Sequence, residues 1–185
     1  MIALVAVALA NADGRAGAYL SHLLTVREDR RVVVAAAFGG FIVNAAVAAT
    51  AGAAANRLIG QGVVALFVAL ALLSAAAALL WPGRPDADAD NMRAVSGPAL
   101  AARLFARQFG DRSHFVIAAL AATSGAGLWA AAGGLIGWAL AMLPFLAFGA
   151  PLAARRSMRA VRLFAAAILA IWGLRAGLGA FGLIG

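Results

Sequence analysis

The feature that most constrains this chain is a succession of long apolar segments. A helix needs about 20 predominantly apolar residues to cross the hydrocarbon core of a bilayer. Six segments approach or exceed that length, and short clusters of Gly, Pro, Asn or charged residues separate them. They lie near residues 2–25, 32–55, 62–81, 98–122, 128–151 and 160–183. The sequence therefore predicts an all-α integral membrane protein with six transmembrane helices.

Composition supports this class of protein. Hydrophobic residues make up 65% of the chain and charged residues only 12%, about half the charged share of an ordinary soluble domain. The longest polar stretch, residues 82–97, is too short to form a soluble domain. The chain has no Cys, so disulfides and thiolate metal sites are excluded.

The arginines predict the orientation of the helices. Loops one, three and five, with the helix start that follows loop five, carry Arg27, Arg30, Arg31, Arg84, Arg93, Arg155, Arg156, Arg159 and Arg162. Loops two and four carry only Arg57. By the positive-inside rule the first group is cytoplasmic and both termini lie outside. The net charge of +8 thus follows topology, so the predicted partner is membrane lipid and not nucleic acid.

The source membrane is predicted from residue usage. All 15 basic residues are Arg, and the chain is rich in Ala, which indicates GC-rich codons. We therefore expect a bacterial inner membrane.

Two short polar motifs interrupt the first and fourth apolar segments. They are Asn11–Ala16 and Gln108–Ser113, and each contains an Asp, a Gly and an Arg. Ionisable groups within a membrane segment usually face the bundle interior and mark an ion or substrate path. The shorter matches Gly39–Ile42 and Gly133–Ile136 follow in the same order, which favours an internal repeat.

The repeat predicts three regions. A first three-helix repeat covers 1–81, an acidic cytoplasmic loop with Asp86, Asp88 and Asp90 covers 82–97, and a second three-helix repeat covers 98–185. Because each repeat has an odd number of spans, the two are expected to be inverted relative to one another. Transporters with this plan bind their substrate near the bilayer midplane.

The motifs contain groups that can bind a cation. On one helix, Gln108, Asp111 and His114 would share a side. The carboxylate of Asp111, the amide oxygen of Gln108 and the hydroxyl of Ser113 are oxygen ligands that hard divalent cations prefer. His114 could relay a proton or bind a transition metal.

The first motif would complete that site. Asp13 supplies a facing carboxylate, and Asn11 supplies a neutral oxygen beside it. Gly14 and Gly17 permit a helix break, and Gly110 loosens the fourth span. The predicted metal ligands are therefore Asp13, Asp111, Gln108 and Asn11.

Structural interpretations stand beside these functional ones. Each Asp could simply neutralise a nearby Arg, with Arg15, Arg107 and Arg112 as the candidates. His114 could be a hydrogen-bonded core residue, and His22 is expected near the cytoplasmic interface. Asn44 is expected to form a hydrogen bond between helices.

At these residues the chain resembles a known family. This family comprises the small six-helix manganese/calcium–proton exchangers, which include the eukaryotic Golgi calcium/manganese transporter and belong with the lysine-exporter superfamily. Its pattern, E-x-G-D-[KR]-[ST], occurs in the first and fourth spans. The second motif keeps four of the five specified positions, and the following segment, His114–Ala122, is also similar to the family.

The chain departs from the pattern at several positions. Gln108 and Asn11 stand where the pattern has Glu, Asp13–Gly14 reverses the usual order, and Ala16 replaces the Ser or Thr. The resemblance implies four motif carboxylates against two basic residues in a typical member. Here Asp13 and Asp111 face the basic pair Arg15 and Arg112, so the formal motif charge is zero.

The leading functional hypothesis is a secondary transporter that exchanges manganese or calcium against protons by alternating access. On this hypothesis the protein is a membrane transporter and not an enzyme, and it needs no cofactor beyond the transported ion. One alternative is a transporter of another solute, namely a monovalent cation, an amino acid or an anion. Another is a transport-dead paralogue that acts as a membrane scaffold or regulator. The sequence does not predict which oligomeric state the protein adopts.

Overall fold

The computed structural model describes residues 1–81 and 87–184, with the side chains of 87, 88, 153 and 154 left aside. The helices are α1 (Ile2–Ala10), α2 (Arg15–Val26), α3 (Arg30–Leu58), α4 (Gln61–Leu80), α5 (Gly97–Gln108), α6 (Arg112–Ser124), α7 (Gly127–Phe148) and α8 (Arg156–Ala180). Short 3₁₀ helices cover Ala87–Met92 and Ala150–Ala154. The described part of the chain contains no strand, so the predicted all-α class is confirmed there.

Four helices, α3, α4, α7 and α8, are long and apolar enough to cross a membrane. The first and fourth predicted spans are instead each divided into two short helices. α1 and α2 are separated at Asn11–Gly14, and α5 and α6 at Phe109–Asp111. Six membrane spans and the inverted relation of the halves stay predictions.

Glycine in the left-handed backbone region makes both breaks. Gly14 has φ +69° and Gly110 has φ +73°, values that side chains with a Cβ rarely adopt. Gly14 was expected at a break, and it immediately precedes α2. Gly17 lies inside α2, where it packs against the ring of Phe145 from α7.

The two halves of the chain pack on each other in a reciprocal way. α1 lies against α7 and α5 lies against α3, while α6 contacts α3 and α2 contacts α7. α4 packs along α8, its equivalent in chain order. Each broken helix is therefore held by a long helix of the other half. The first break is buried, whereas Phe109 and Gly110 of the second break are exposed.

Small residues allow this close packing. A Cβ at Gly137 on α7 would overlap the carbonyl oxygen of Leu4 on α1, and one at Gly52 on α3 would overlap that of Ala118 on α6. Close backbone approach of this kind stabilises helix pairs in lipid, where apolar burial drives association weakly. The Ala and Gly richness of the sequence serves these interfaces.

The outer surfaces of the long helices are apolar. Phe164 and Ile171 on α8 are 70% and 69% exposed, and Leu70 on α4 is 56% exposed. Such extended apolar surfaces are unusual for monomeric proteins in water and are typical of a membrane environment.

The side chain of Arg27 joins the loop between α2 and α3 to the segment between α4 and α5, and we call this set of contacts the arginine clamp. Arg27 is only 8% exposed. Its Nε and Nη2 donate to the Asp29 carboxylate at 2.7 and 2.6 Å, and its Nη1 donates to the carbonyl oxygens of Met92 and Val95 at 2.5 and 2.8 Å. Of the predicted acidic loop, residues 82–86 and the side chains of Asp86 and Asp88 lie outside the described residues.

The clamp predicts a pH-dependent contribution to stability. The hydrogen bonds from Arg27 hold the pKa of Asp29 below its usual value. A carboxyl with a lowered folded pKa stabilises the fold above its unfolded pKa of about 3.9, and that stabilisation is lost as the pH falls through the folded pKa. We expect Asp29→Asn to lower the unfolding midpoint at pH 7 in detergent, and the deficit to shrink as the pH falls below about 4 and to vanish only below the lowered pKa of the folded state. Glu28→Gln, which removes an exposed neighbouring carboxylate, is the control; a deficit of the same size at both pH values would contradict this role.

The break at Gly14 predicts a strict requirement for glycine. A Cβ there would overlap the ring of Phe145, and the positive φ adds backbone strain. We expect Gly14→Ala to lower the free energy of unfolding by about 2 kcal/mol or more, measured by thermal unfolding in detergent. Gly39→Ala is the control, because Gly39 lies in α3 with open space around its Cβ position. A Gly14→Ala variant as stable as Gly39→Ala would contradict the assigned geometry.

Candidate functional site

The two helix breaks lie against each other, so the two sequence motifs meet in space. The amide nitrogen of Asn11 donates to the hydroxyl of Ser113 at 2.9 Å. The Nη2 atom of Arg112 lies 2.6 Å from Oδ1 of Asp13. One hydrogen bond and one ion pair thus join the motif of the first half to that of the second.

Asp13 is a buried carboxylate held by two guanidinium groups. Its side chain is 1% exposed. Arg112 contacts Oδ1, and Nε of Arg15 lies 3.4 Å from Oδ2. The backbone N–H of Arg15 also donates to Oδ1 at 3.3 Å. Asp13 therefore neutralises nearby arginines, as the structural interpretation expected. One of its partners, Arg112, comes from the other motif.

Asp111 has a different environment. It is half-buried, and the hydroxyl of Ser113 donates to its Oδ2 at 2.9 Å. The ion pairs among the described residues involve Asp13, Asp29 and Asp90, and Asp111 takes part in none of them. The guanidinium of Arg107, a predicted partner, lies over the ring of Tyr19, 4.1 Å from its centroid. Asp111 is thus the motif carboxylate without a cationic partner in the described structure.

A cavity of about 480 Å³ opens beside the breaks. From the motifs it is lined by Asn11, Arg15, Ala16, Gln108, Gly110, Asp111 and Arg112. Arg107 and the aromatic residues Tyr19, Phe41 and Trp138 form further parts of its wall. The described lining thus contains three guanidinium groups and one carboxylate.

Two side-chain amides, those of Asn11 and Gln108, bring neutral oxygens to the lining of this cavity. The Asn11 nitrogen also donates to the carbonyl of Val7 at 2.8 Å, and no described residue donates to the Asn11 oxygen. Gln108 donates to the carbonyl of Ala37 at 3.1 Å, and its Oε1 is buried without a described donor. Amide oxygens without donors are available to bind a cation or water.

Asn44 forms the helix–helix bond that was expected of it. Its nitrogen donates to the carbonyl of Phe105 at 3.2 Å, which joins α3 to α5. The Oδ1 atom of Asn44 is buried without a described hydrogen-bond donor, and the same is true of Oε1 of Gln108.

The two histidines lie outside the cavity wall. His114 is 5% exposed and its ring packs against Phe41, with 4.7 Å between centroids. His22 lies 3.4 Å from Asp90 on the connection between the halves. The expectation that Gln108, Asp111 and His114 share one side of a continuous helix was wrong, because the left-handed Gly110 ends the regular backbone between α5 and α6. Within residues 1–81 and 87–184 there is no cluster of three or more His, Asp or Glu side chains that could hold a metal.

Sequence reasoning did not identify the aromatic wall. Tyr19 follows Arg15 by four residues on α2, and that spacing places both on one helix face. The spacing could have identified Tyr19. Phe41 and Trp138 come from α3 and α7, and their rings stack at 4.5 Å between centroids. Only the tertiary packing brings these two to the site.

Comparison with known proteins gives no match for this chain among protein families, curated proteins or solved structures. The likeness to the exchanger family is thus a resemblance of motifs, and the roles of the site residues as ion ligands stay predictions.

The hydrogen bond between the motifs predicts coupling between Asn11 and Ser113. Both residues are buried, and removal of either leaves a polar atom of the other without its partner. In a double-mutant cycle of Asn11→Ala and Ser113→Ala, we expect an interaction energy of about 0.5–3 kcal/mol from thermal unfolding in detergent. A cycle of Asn11→Ala with Ser74→Ala is the control, since the hydroxyl of Ser74 donates to the carbonyl of Ala71 within its own helix, α4. Additive effects for Asn11 and Ser113 would contradict the contact.

Proposed function

We propose that this protein is a secondary transporter whose substrate binds in the cavity between the two helix breaks. The observation that carries the proposal is the meeting of two broken helices, one from each half of the chain, at a cluster of charged groups. Irregular backbone at membrane depth is tolerated where it lines a cavity or is buried in protein. Broken helices from related halves commonly form the substrate sites of secondary transporters.

The proposed substrate is a divalent cation, manganese or calcium, exchanged against protons by alternating access. Asp111 supports this proposal because it is a carboxylate at the cavity without a cationic partner in the described structure. The amide oxygens of Asn11 and Gln108 supply neutral ligands beside it. Asp111 would bind the ion and accept a proton on its release. This assignment is also what the resemblance to the manganese/calcium–proton exchangers implies.

The proposed setting is a bacterial inner membrane with both termini outside. The arginine distribution supports this orientation. It places the clamp around Arg27 and the connection between the halves on the cytoplasmic side.

One observation favours a second substrate class. The described cavity wall contains Arg15, Arg107 and Arg112 against the single carboxylate of Asp111. Guanidinium groups bind carboxylates and other anions in bidentate fashion. An anion or a zwitterionic amino acid is therefore the alternative cargo on the same fold.

A flux measurement tests the transport proposal. Purified protein in proteoliposomes with an internal pH-sensitive dye should move protons when manganese or calcium is added on one side. We expect Asp111→Asn to abolish this flux, because the substituted amide can neither bind the ion strongly nor carry the proton. Asp90→Asn is the matched control, since Asp90 lies on the connection between the halves with a side chain that is 76% exposed.

The result also separates the alternatives. Unchanged flux in Asp111→Asn would overturn the assigned site. Absence of metal-dependent flux in the unmodified protein, together with stabilisation by an amino acid or anion in a thermal-shift screen, would favour the second cargo. Absence of any flux and any ligand stabilisation would favour the scaffold interpretation.

A further inference from the structure

Arg112 connects the two motifs in an unsymmetrical way. It is adjacent in sequence to Asp111, but its guanidinium contacts the carboxylate of Asp13 in the other half, at 2.6 Å. Asp13 is thereby closed off, with a side chain that is 1% exposed, while Asp111 lines the cavity. A positive charge that belongs to the protein thus occupies one of the two carboxylates that a transported cation would need.

The contacts of Arg112 are few for a guanidinium at a buried carboxylate. Its side chain is 14% exposed and lines the cavity, and its Nε is buried without a described hydrogen-bond acceptor. A guanidinium has five N–H donors, so this pairing leaves much of its capacity unused. Arg15 also donates to the carbonyl oxygen of Trp81 at the end of α4, although its contact with Asp13 is longer, at 3.4 Å. Of the two guanidinium groups on Asp13, Arg112 is therefore the one whose described polar contacts are confined to that carboxylate.

We propose that Arg112 is a specificity-determining residue, a tethered cation that competes with the transported cation for Asp13. The proposal rests on the proposed function, since it assigns a role at the same site. When Arg112 stays on Asp13, the two Asp and two Arg side chains of the motifs sum to zero formal charge, and the site attracts a divalent ion weakly. When Arg112 withdraws, Asp13 keeps only its longer contact with Arg15, and its carboxylate and that of Asp111 can both bind the ion.

Coulomb's law gives the direction of the effect of removing this charge. Arg112→Gln changes the formal motif charge from zero to −1, and opposite charges a few ångströms apart attract strongly in a partly desolvated site. We expect the variant to bind manganese about tenfold or more tightly than the unmodified protein. Isothermal titration calorimetry in detergent measures this affinity. Arg103→Gln is the control, because Arg103 lies on α5 outside the cavity wall and is exposed, so its affinity should not change.

A second pair of variants keeps the test decisive if Arg112→Gln does not fold, since it leaves Asp13 buried beside Arg15 alone. Asp13→Asn removes the carboxylate, and Asp13→Asn with Arg112→Gln removes both partners of the pair. We expect the double variant to bind manganese more tightly than Asp13→Asn, because it lacks the uncompensated guanidinium. Because both variants lack the Asp13 carboxylate, this comparison measures repulsion of the metal ion by the Arg112 charge, and equal affinities would overturn a role for that charge at the site.

Chemical rescue tests the competition directly. In Arg112→Ala, added guanidinium ion at low millimolar concentration should weaken manganese binding, since it can refill the vacated place on Asp13. Sodium at the same concentration should weaken manganese binding to Arg112→Ala less than guanidinium does. Neither ion should weaken manganese binding to the unmodified protein as much as guanidinium weakens it in Arg112→Ala.

The outcomes separate this inference from the transport proposal. Metal-dependent flux in the unmodified protein, with no gain in affinity in Arg112→Gln or in the double variant over its parent, overturns the inference alone. Absence of flux in the unmodified protein, with tighter manganese binding in Arg112→Gln, contradicts the transport proposal and supports the role of Arg112. No gain in affinity in any Arg112 variant overturns the inference whatever the flux.

Discussion

The ion pair between Arg112 and Asp13 is the contact on which the geometry of the site depends. It joins the break of one half to the break of the other, and the hydrogen bond from Asn11 to Ser113 runs beside it. Buried charges need such partners, because an isolated charge loses several kcal/mol of solvation on burial. The two breaks are therefore joined across the halves, and the cavity lies beside them, where their backbones turn away from regular helix.

The two motif carboxylates have unequal environments for the same reason. Asp13 receives both short-range guanidinium contacts and is sealed, whereas Asp111 receives a hydroxyl from Ser113 and faces the cavity. Two chemically equal groups thus differ in what they can bind. The aromatic side chains of Tyr19, Phe41 and Trp138 line part of the same cavity, and charge interactions beside such low-dielectric walls are stronger than in water.

The sequence predicted those features that depend on local chemistry. The long apolar segments became the helices α3, α4, α7 and α8, and the breaks fell at Gly14 and Gly110, where only the backbone of glycine is tolerant. The meeting of the two motifs also followed from their matching positions. The partner of Arg112 did not, because a long side chain can pass over its neighbour Asp111 and reach a carboxylate on another helix. The sequence also did not predict that α2, α3 and α7 together form the cavity wall, since this depends on which helices cross at the breaks.

The reciprocal packing of the halves bears on how the chain is assembled during synthesis. The helix that α1 contacts most extensively, α7, is made only after α2 to α6. Until then the polar groups of Asn11 and Asp13 lack their partners from the second half. The first helix therefore reaches its final packing only after α7 has been made, so the core begun by α1 is completed from the second half of the chain.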